Sequence, residues 1–233
     1  MLSVLIPTNN TKYIEALFQS IDTQTWKGEY EVIVAVDGCK ECTKHLLDIQ
    51  YKYDFLNIYD CPTNMGVYKT INALLELAEG DKMLIFGSDD IMHQDLFKSL
   101  YEVEGDFYQF RFWNLHDGYA GYDHTKHFAA GAVCLSRKAL EVCGTYKSWR
   151  YSADSEYVER VKCSSLKHVK IDKEMFWYRN HKENLTATVD LTARAKQRQQ
   201  IKFGNYGKHE IKVNGETNTG KFVSDESLQE RIT

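Results

Sequence analysis

The sequence predicts an α/β protein with a Rossmann-like, mostly parallel central sheet carrying helices on both faces, followed by a smaller α+β part. Three observations lead there. Short, mainly apolar runs recur through the first ninety residues, and Val32 to Val36 and Met83 to Phe86 are apolar at every position, as strands buried on both faces of a parallel sheet require. Stretches with apolar residues at helical spacing separate these runs, so strand and helix alternate four times. Three of the runs also stop at polar punctuation: Pro7-Thr8-Asn9, Asp37-Gly38 and Ser88-Asp89-Asp90. In such a sheet those ends lie along one edge and can meet around one ligand.

Leu2 to Ile6 is the first run, closed by the turn residues Pro7-Thr8-Asn9-Asn10. Ile14, Leu17, Phe18 and Ile21 then fall on one helical face. Val32 to Val36 is the second strand, Lys44 to Tyr53 a helix, and Phe55 to Tyr59 a weaker third strand. Val67 to Ala78 is the clearest helix, with Val67, Ile71, Leu74, Leu75 and Ala78 on one stripe and Gly80 stopping it. The fourth strand, Met83 to Phe86, leads into Gly87-Ser88-Asp89-Asp90.

After about residue 105 the pattern changes. Phe107 to Phe112 reads as a strand, followed by an aromatic and His-rich loop from Trp113 to His127. Val133-Cys134-Leu135 precedes a helix from Arg137 to about Cys143, and Asp154 to about Cys163 forms another with Tyr157, Val158 and Val161 inward. His168 to Ile171 and Met175 to Tyr178 read as two strands, and Asp190 to Ile201 as a basic helix. Beyond Gly204 the chain is polar, with little to bury and an expected dispensability for folding. This divides the chain into a domain over 1–189, with halves 1–104 and 105–189, and a C-terminal helix and polar tail over 190–233.

Composition narrows the function. At 233 residues, with 43% hydrophobic and 27% charged residues, the chain can bury a sizeable core. Its 29 Lys and Arg against 33 Asp and Glu give a net charge of −4, which argues against a general nucleic-acid surface. No apolar run is long enough to span a bilayer. Met1 to Pro7 lacks the basic start and cleavage site of a signal peptide, so a cytoplasmic location is expected. In that setting the six cysteines are expected to be free thiols. Cys39-x-x-Cys42 offers half of a zinc site or a redox pair, with no second half to complete a zinc site. No Gly-x-Gly-x-x-Gly or Gly-x-x-x-x-Gly-Lys-[Ser/Thr] occurs, which disfavours a dinucleotide fold or a phosphate-loop ATPase.

The chemistry concentrates at Asp89-Asp90. Two adjacent carboxylates past the end of a buried strand repel unless a cation or a shared proton offsets them. Their hard oxygens favour Mn²⁺ or Mg²⁺, with a diphosphate as co-ligand. The plainer alternative is a solvated turn in which Asp90 caps a helix starting near His93.

Several further pieces, in order over residues 1 to about 186, resemble an inverting glycosyltransferase of family 2 with the GT-A fold. They are Ser3-Val-Leu-Ile-Pro-Thr-Asn-Asn; Gln24-Thr-Trp with Glu31-Val-Ile-Val-Ala-Val-Asp-Gly; and Asn64-Met-Gly, Asn72 and Ala78-Glu-Gly-Asp. Phe86-Gly-Ser-Asp-Asp stands at the Asp-x-Asp position, and Gly131-Ala-Val to Gly144 at the acceptor block. Tyr151-Ser-Ala-Asp-Ser-Glu-Tyr stands at the base block, and Tyr178-Arg179-Asn-His181 at the closing Tyr-Arg-x-His.

The resemblance implies transfer of a sugar from a nucleotide-diphosphate sugar donor to a saccharide or glycan acceptor hydroxyl, with inversion. It implies that Pro7, Thr8, Asn9, Asp37, Asn64, Gly66, Ser88 and Arg179 serve the donor, with Asp37 on the nucleotide base. The plainer role for Asp37 is an N-cap for the helix after Gly38. Asp89, Asp90 and His181 would hold the metal or diphosphate, and Asp154 would be the general base with Glu156 second; the plainer roles are a surface histidine near a strand end for His181 and a helix N-cap for Asp154. The Trp113 to His127 loop would line the acceptor side, since rings stack on sugar faces. Two positions depart from the family pattern: Gly87 stands for the first Asp of Asp-x-Asp, and Ala153 for the Glu before the base. A sugar-phosphate nucleotidyltransferase and a catalytically silent nucleotide-sugar-binding module are the rival readings.

Overall fold

The computed structural model describes residues 1–116, 122–185, 187, 190–204 and 220–224. The first part runs β1 (Leu2–Thr8), α1 (Ile14–Asp22), β2 (Tyr30–Asp37), α2 (Lys40–Ile49), β3 (Leu56–Cys61), α3 (Val67–Leu77) and β4 (Lys82–Ile85). The second continues with β5 (Ile91–Met92), α4 (Leu96–Glu102), β6 (Phe107–His116), β7 (Tyr122–His124), β8 (Val133–Ser136), α5 (Arg137–Cys143), α6 (Ala153–Lys162), β9 (His168–Asn180), α7 (Leu191–Phe203) and β10 (Lys221–Val223).

One sheet carries both parts, in the order β10-β3-β2-β1-β4-β8-β6-β9-β5, with β7 paired to β6. β1 lies between β2 and β4 and is parallel to both, and β2 is parallel to β3. The period-2 alternation of a strand splits each apolar run between two cores. Val4, Ile6, Val32 and Val34 pack on one face with Leu17 and Phe18 of α1, Leu46 of α2 and Phe97 of α4. Leu5, Ile33 and Ala35 pack on the other with Leu74 of α3, Ala139 of α5 and Tyr157 of α6. Each such fully buried large apolar side chain contributes about 1.5–3 kcal/mol.

Beyond β4 the direction reverses. β8 is antiparallel to β4, with Ile85 opposite Val133, and β6 is antiparallel to β8. The start of β8 therefore lies beside the Gly87-Ser88-Asp89 turn. The expected strands at 168–171 and 175–178 are one strand, β9, beside β6; an irregularity at Asp172-Lys173 shifts the register from Phe110↔Ile171 to Arg111↔Glu174. Because β9 continues, β6 continues too, so residues 113–116 of the expected loop are strand. Residues 117–121 of that loop lie outside the described residues.

Other expectations are corrected locally. α2 starts at Lys40, before Lys44, because Cys39 Sγ caps it by accepting from Cys42 N at 3.3 Å. Asp37 is therefore not that cap. Cys39 and Cys42 are joined as a disulfide rather than free, their Cα atoms 5.3 Å apart; Cys61, Cys134, Cys143 and Cys163 are free. Asp90 caps no helix: β5 follows it, and α4 begins after Asp95. The tail is not wholly outside the core, since β10 pairs antiparallel with β3 and Phe222 packs edge-on against Tyr59 at 5.3 Å. No helix among the described residues is long and apolar enough to cross a membrane.

Candidate active site

The carboxyl ends of β1, β2 and β4 form one edge, as the sheet order requires. Thr8 Oγ1 donates to Ser88 Oγ at 3.0 Å, tying the end of β1 to the turn after β4. Pro7 is half-buried before it; Asn9 is exposed and makes no side-chain hydrogen bond among the described residues. Its neighbour Asn10, which the motif reading passed over, donates to Glu183 Oε2 at 2.9 Å and closes the edge toward the 180–187 segment.

Asp37 is buried, and both its oxygens accept backbone N–H groups: Met65 N at 2.6 Å and Gly66 N at 2.9 Å. Asn64 Nδ2 returns a bond to Asp37 O at 3.2 Å. The 64–66 turn is thus pinned against Gly38, whose φ of +69° leaves no room for a side chain: a Cβ there would lie 2.2 Å from Asn64 N. This geometry makes Asp37 a brace for the turn that starts α3.

Asp89 and Asp90 diverge in environment. Asp89 is half-buried; its Oδ2 accepts from His181 Nε2 at 2.9 Å, and Asn184 Nδ2 lies at 3.4 Å. Glu183 N donates to His181 Nδ1 at 3.3 Å, which leaves the ring proton on Nε2, aimed at Asp89. Asp90 is buried and accepts Arg179 N on Oδ1 at 2.9 Å. Burial, then the neighbouring Asp89 charge, pushes its carboxyl well above the usual range, against a lowering by the Arg179 N–H and guanidinium. Arg179 Nε donates to Asp89 O at 3.0 Å, and its guanidinium lies 4.3 Å from the Tyr13 ring centroid. Asp89 Oδ1 and Asp90 Oδ2 have no hydrogen-bond partner among the described residues. Both lie 3.0 Å from the point where a Cβ on Gly87 would sit. Among the described residues no group of three or more His, Cys, Asp or Glu side chains is placed to hold a metal ion. A cavity of about 690 Å³ adjoins this cluster, lined by Lys12, Asn180, His181, Lys182, Glu183, Asn184 and Ala187.

Asp154 stands at the start of α6, two residues after Ser152, whose φ of 62° is positive without a glycine. Such strain at a loop-to-helix junction is a feature of sites where geometry is over-determined. Asp154 Oδ1 accepts Tyr68 OH at 3.0 Å and Ser155 N at 2.7 Å. Oδ2 has no hydrogen-bond partner among the described residues and lies 3.8 Å from where a Cβ on Gly131 would sit. Gly131 precedes β8 by two residues, and Val133 faces Ile85, two residues before Gly87. The free oxygen of Asp154 therefore points to the strand flanking the Asp89 turn.

Glu156 does not share this position. It is buried to 1% exposure, with Oε2 accepting Arg160 Nε at 3.1 Å and Nη2 at 2.7 Å, and Lys147 Nζ lies 3.3 Å from Oε1. Two residues along a helix point a side chain to another face, and here that face is the core. This corrects the ranking of Glu156 as a second base. Ala153 is fully buried among apolar side chains, so a Glu there would place a carboxylate in the core. Sequence reasoning also missed Tyr68, Asn184 and the lysines at 12 and 182.

The fold is GT-A, and residues 3–106, less than half of the chain, match the family model described as Glycosyl transferase family 2. Among its relatives is the abequosyltransferase RfbV of Salmonella typhimurium, 33% identical over 99 residues, which are 41% of this chain and 30% of that protein. The crystal structure of Staphylococcus aureus TarS 1-349 with UDP-GlcNAc superposes with a TM-score of 0.68 at 18% identity, over 82% of this chain and 61% of that one. The mannosyltransferase PcManGT of Pyrobaculum calidifontis, in complex with GDP-Man and Mn²⁺, gives 0.65 at 16% identity, over 80% and 59%. The chain thus spans less than a third of its curated relative and about three fifths of the solved structures.

Proposed function

We propose that this protein transfers a sugar from a nucleotide-diphosphate sugar to a saccharide or glycan hydroxyl with inversion, with Asp154 as general base. The observation that carries the reading is the free Oδ2 of Asp154, held by its partner oxygen and turned toward the strand beside Asp89. In a single displacement the anomeric carbon passes through an oxocarbenium-like transition state. The acceptor hydroxyl must lose its proton on the face away from the departing diphosphate, and a carboxylate with one unengaged oxygen can take it.

The donor side rests on the 64–66 turn braced by Asp37, the Thr8–Ser88 contact and Arg179. The convergence of Asp89 Oδ1 and Asp90 Oδ2 fits Mn²⁺ or Mg²⁺, which take one or two carboxylates and complete their shell with substrate phosphate and water. Such an ion, when bound, offsets charge on the departing diphosphate. His181 then acts by holding Asp89 in place through Nε2–H rather than as a ligand itself. Lys12 and Lys182 bring positive charge to the adjoining cavity, which suits an anionic donor.

The test is a panel of UDP-, GDP- and dTDP-sugars with Mn²⁺ or EDTA, followed by nucleotide release and product anomer. Asp154→Asn is expected to keep donor affinity and lose roughly 10²-fold or more in turnover. Formation of nucleoside triphosphate and sugar 1-phosphate when pyrophosphate is added, without sugar transfer, would favour the nucleotidyltransferase. Tight donor binding with no turnover would favour the silent module. A product retaining the donor's anomeric configuration would overturn the single displacement.

A further inference from the structure

One oxygen of Asp154 is free while the other is fixed, and the group that fixes it comes from α3, which packs in the same core cluster as α6. Tyr68 lies in the first turn of α3, is buried, and donates its hydroxyl to Asp154 Oδ1 at 3.0 Å. Ser155 N donates to the same oxygen at 2.7 Å. Rotating the carboxylate would lose both bonds, so Oδ2 has one direction available.

The tyrosine is itself held at both ends. Its helix begins at Gly66, whose N–H is bound by Asp37 Oδ2 at 2.9 Å. Its ring stacks on Tyr146 at 6.1 Å and 12°, and Tyr146 stacks on Tyr157 at 4.4 Å and 16°. Asn72, one turn along α3, clamps the Tyr146 backbone with Nδ2 to O at 2.8 Å and Oδ1 to N at 2.9 Å. A hydroxyl on so constrained a ring has little freedom to follow the carboxylate elsewhere.

We infer that Tyr68 is a positioning residue of the transfer, directing Asp154 Oδ2 at the acceptor hydroxyl by occupying Oδ1; this rests on the reading of Asp154 as the base. Tyr68 does not touch the reacting atoms. Burial and then the Asp154 charge push its own hydroxyl up, so it stays a donor across the working pH range. No covalent step passes through it.

The experiment is a double-mutant cycle of Tyr68→Phe and Asp154→Asn, read as nucleoside diphosphate release from UDP-GlcNAc and from GDP-mannose with Mn²⁺ and water as acceptor. Tyr68→Phe keeps the ring stack and removes one hydrogen bond to a charged group, so kcat is expected to fall about 10-fold with donor KM unchanged. In the Asp154→Asn background the same change is expected to have no further effect, because the partner it acts through is gone. A Tyr68→Phe protein with normal kcat, while Asp154→Asn is inactive, would overturn the inference and leave the base reading standing. An equal loss in both backgrounds, or a rise in donor KM with kcat preserved, would make Tyr68 merely structural. Normal release by Asp154→Asn, or none from wild type with any donor of the UDP-, GDP- and dTDP-sugar panel, would overturn the base reading and this inference with it. Melting curves of all four proteins separate these effects from loss of fold.

Discussion

Replacing Glu156 with Ala removes one partner of a buried ion pair and leaves the other where it cannot retreat. Glu156 and Arg160 are 1% and 2% exposed. The guanidinium is anchored from its far side as well, since Arg160 Nη1 donates to Cys143 O at 2.6 Å and Thr145 O at 2.9 Å. Those carbonyls keep the charge in place when the carboxylate is gone. A buried charge deprived of its partner costs about 3–5 kcal/mol. For a domain of this size each kcal/mol moves the melting temperature by about 2–4 °C, so a fall of roughly 10 °C is expected. Glu156→Gln keeps an acceptor for Arg160 and should lose less. Urea unfolding and thermal melts of both variants, beside Asp154→Asn, read this directly. The exposed oxygen of Asp154 predicts a melting temperature near wild type for its own amide variant. If Glu156→Ala instead unfolds within about 1 kcal/mol of wild type and abolishes turnover, the pair is not structural and the assignment of the base to Asp154 fails.

Three further outcomes are expected. Gly38→Ala drives a Cβ to 2.2 Å from Asn64 N at a φ of +69°, against a backbone atom that cannot yield; a loss of about 1–3 kcal/mol should follow, with weaker calorimetric binding of the proposed nucleotide-diphosphate donor, and an unchanged melt would refute the brace. Burial, with Lys173 for His93 and with Lys170 and Lys162 for His168, holds both imidazoles below their ordinary value. The native state then binds fewer protons than the unfolded chain, so stability is present above about pH 6.5 and is lost as pH falls through the folded values. His168→Gln should flatten the decline of melting temperature between about pH 7 and 5, and an unaltered slope would remove His168 from that account. Truncation after Gly204 strips β10, of which Phe222 is 53% exposed, and should move the melt little while raising light scattering, because the β3 edge loses its cover. Unchanged scattering would show that β10 protects nothing.

The parallel half was legible because its strands are buried on both faces and its helices on one. β2 carries the continuous apolar run Val32 to Val36, and α1 shows its buried stripe, Ile14, Leu17, Phe18 and Ile21, in the sequence. The reversal at β8 was not legible, since strand direction is set by partners distant in the chain and leaves no local mark. β9 was read as two pieces because the irregularity at Asp172-Lys173 falls on polar residues, and β10 was missed because a three-residue edge strand has almost nothing to bury. In the candidate site, the order of motifs is what pointed to Asp89 and Asp154, whose roles are proposed. The contact of His181 with Asp89 spans 92 positions, and that of Tyr68 with Asp154 spans 86, so no spacing rule reveals either. Glu156 is different: Glu and Arg four apart on a helix are a known ion-pair spacing, and that signal stood in the sequence beside the motif that outranked it.

The segment from Asn64 to Asn72 explains why the two sides of the site hold a fixed relation although they lie far apart in the chain. Its turn is held by Asp37 from β2, its first helical turn holds Asp154 through Tyr68, and its second holds Tyr146 through Asn72. A displacement of the turn therefore moves the carboxylate of Asp154 as well as the donor-side backbone. That coupling gives a reason for Gly38 that the turn alone does not. Any side chain there pushes on Asn64, and the push is delivered through a single short helix to the residue proposed to take the acceptor proton. On the proposed function, Gly38→Ala should accordingly lower kcat in addition to weakening the nucleotide-diphosphate donor, whereas a change confined to the Asp89 turn should weaken any metal-dependent part of donor binding and leave the Tyr68–Asp154 contact intact.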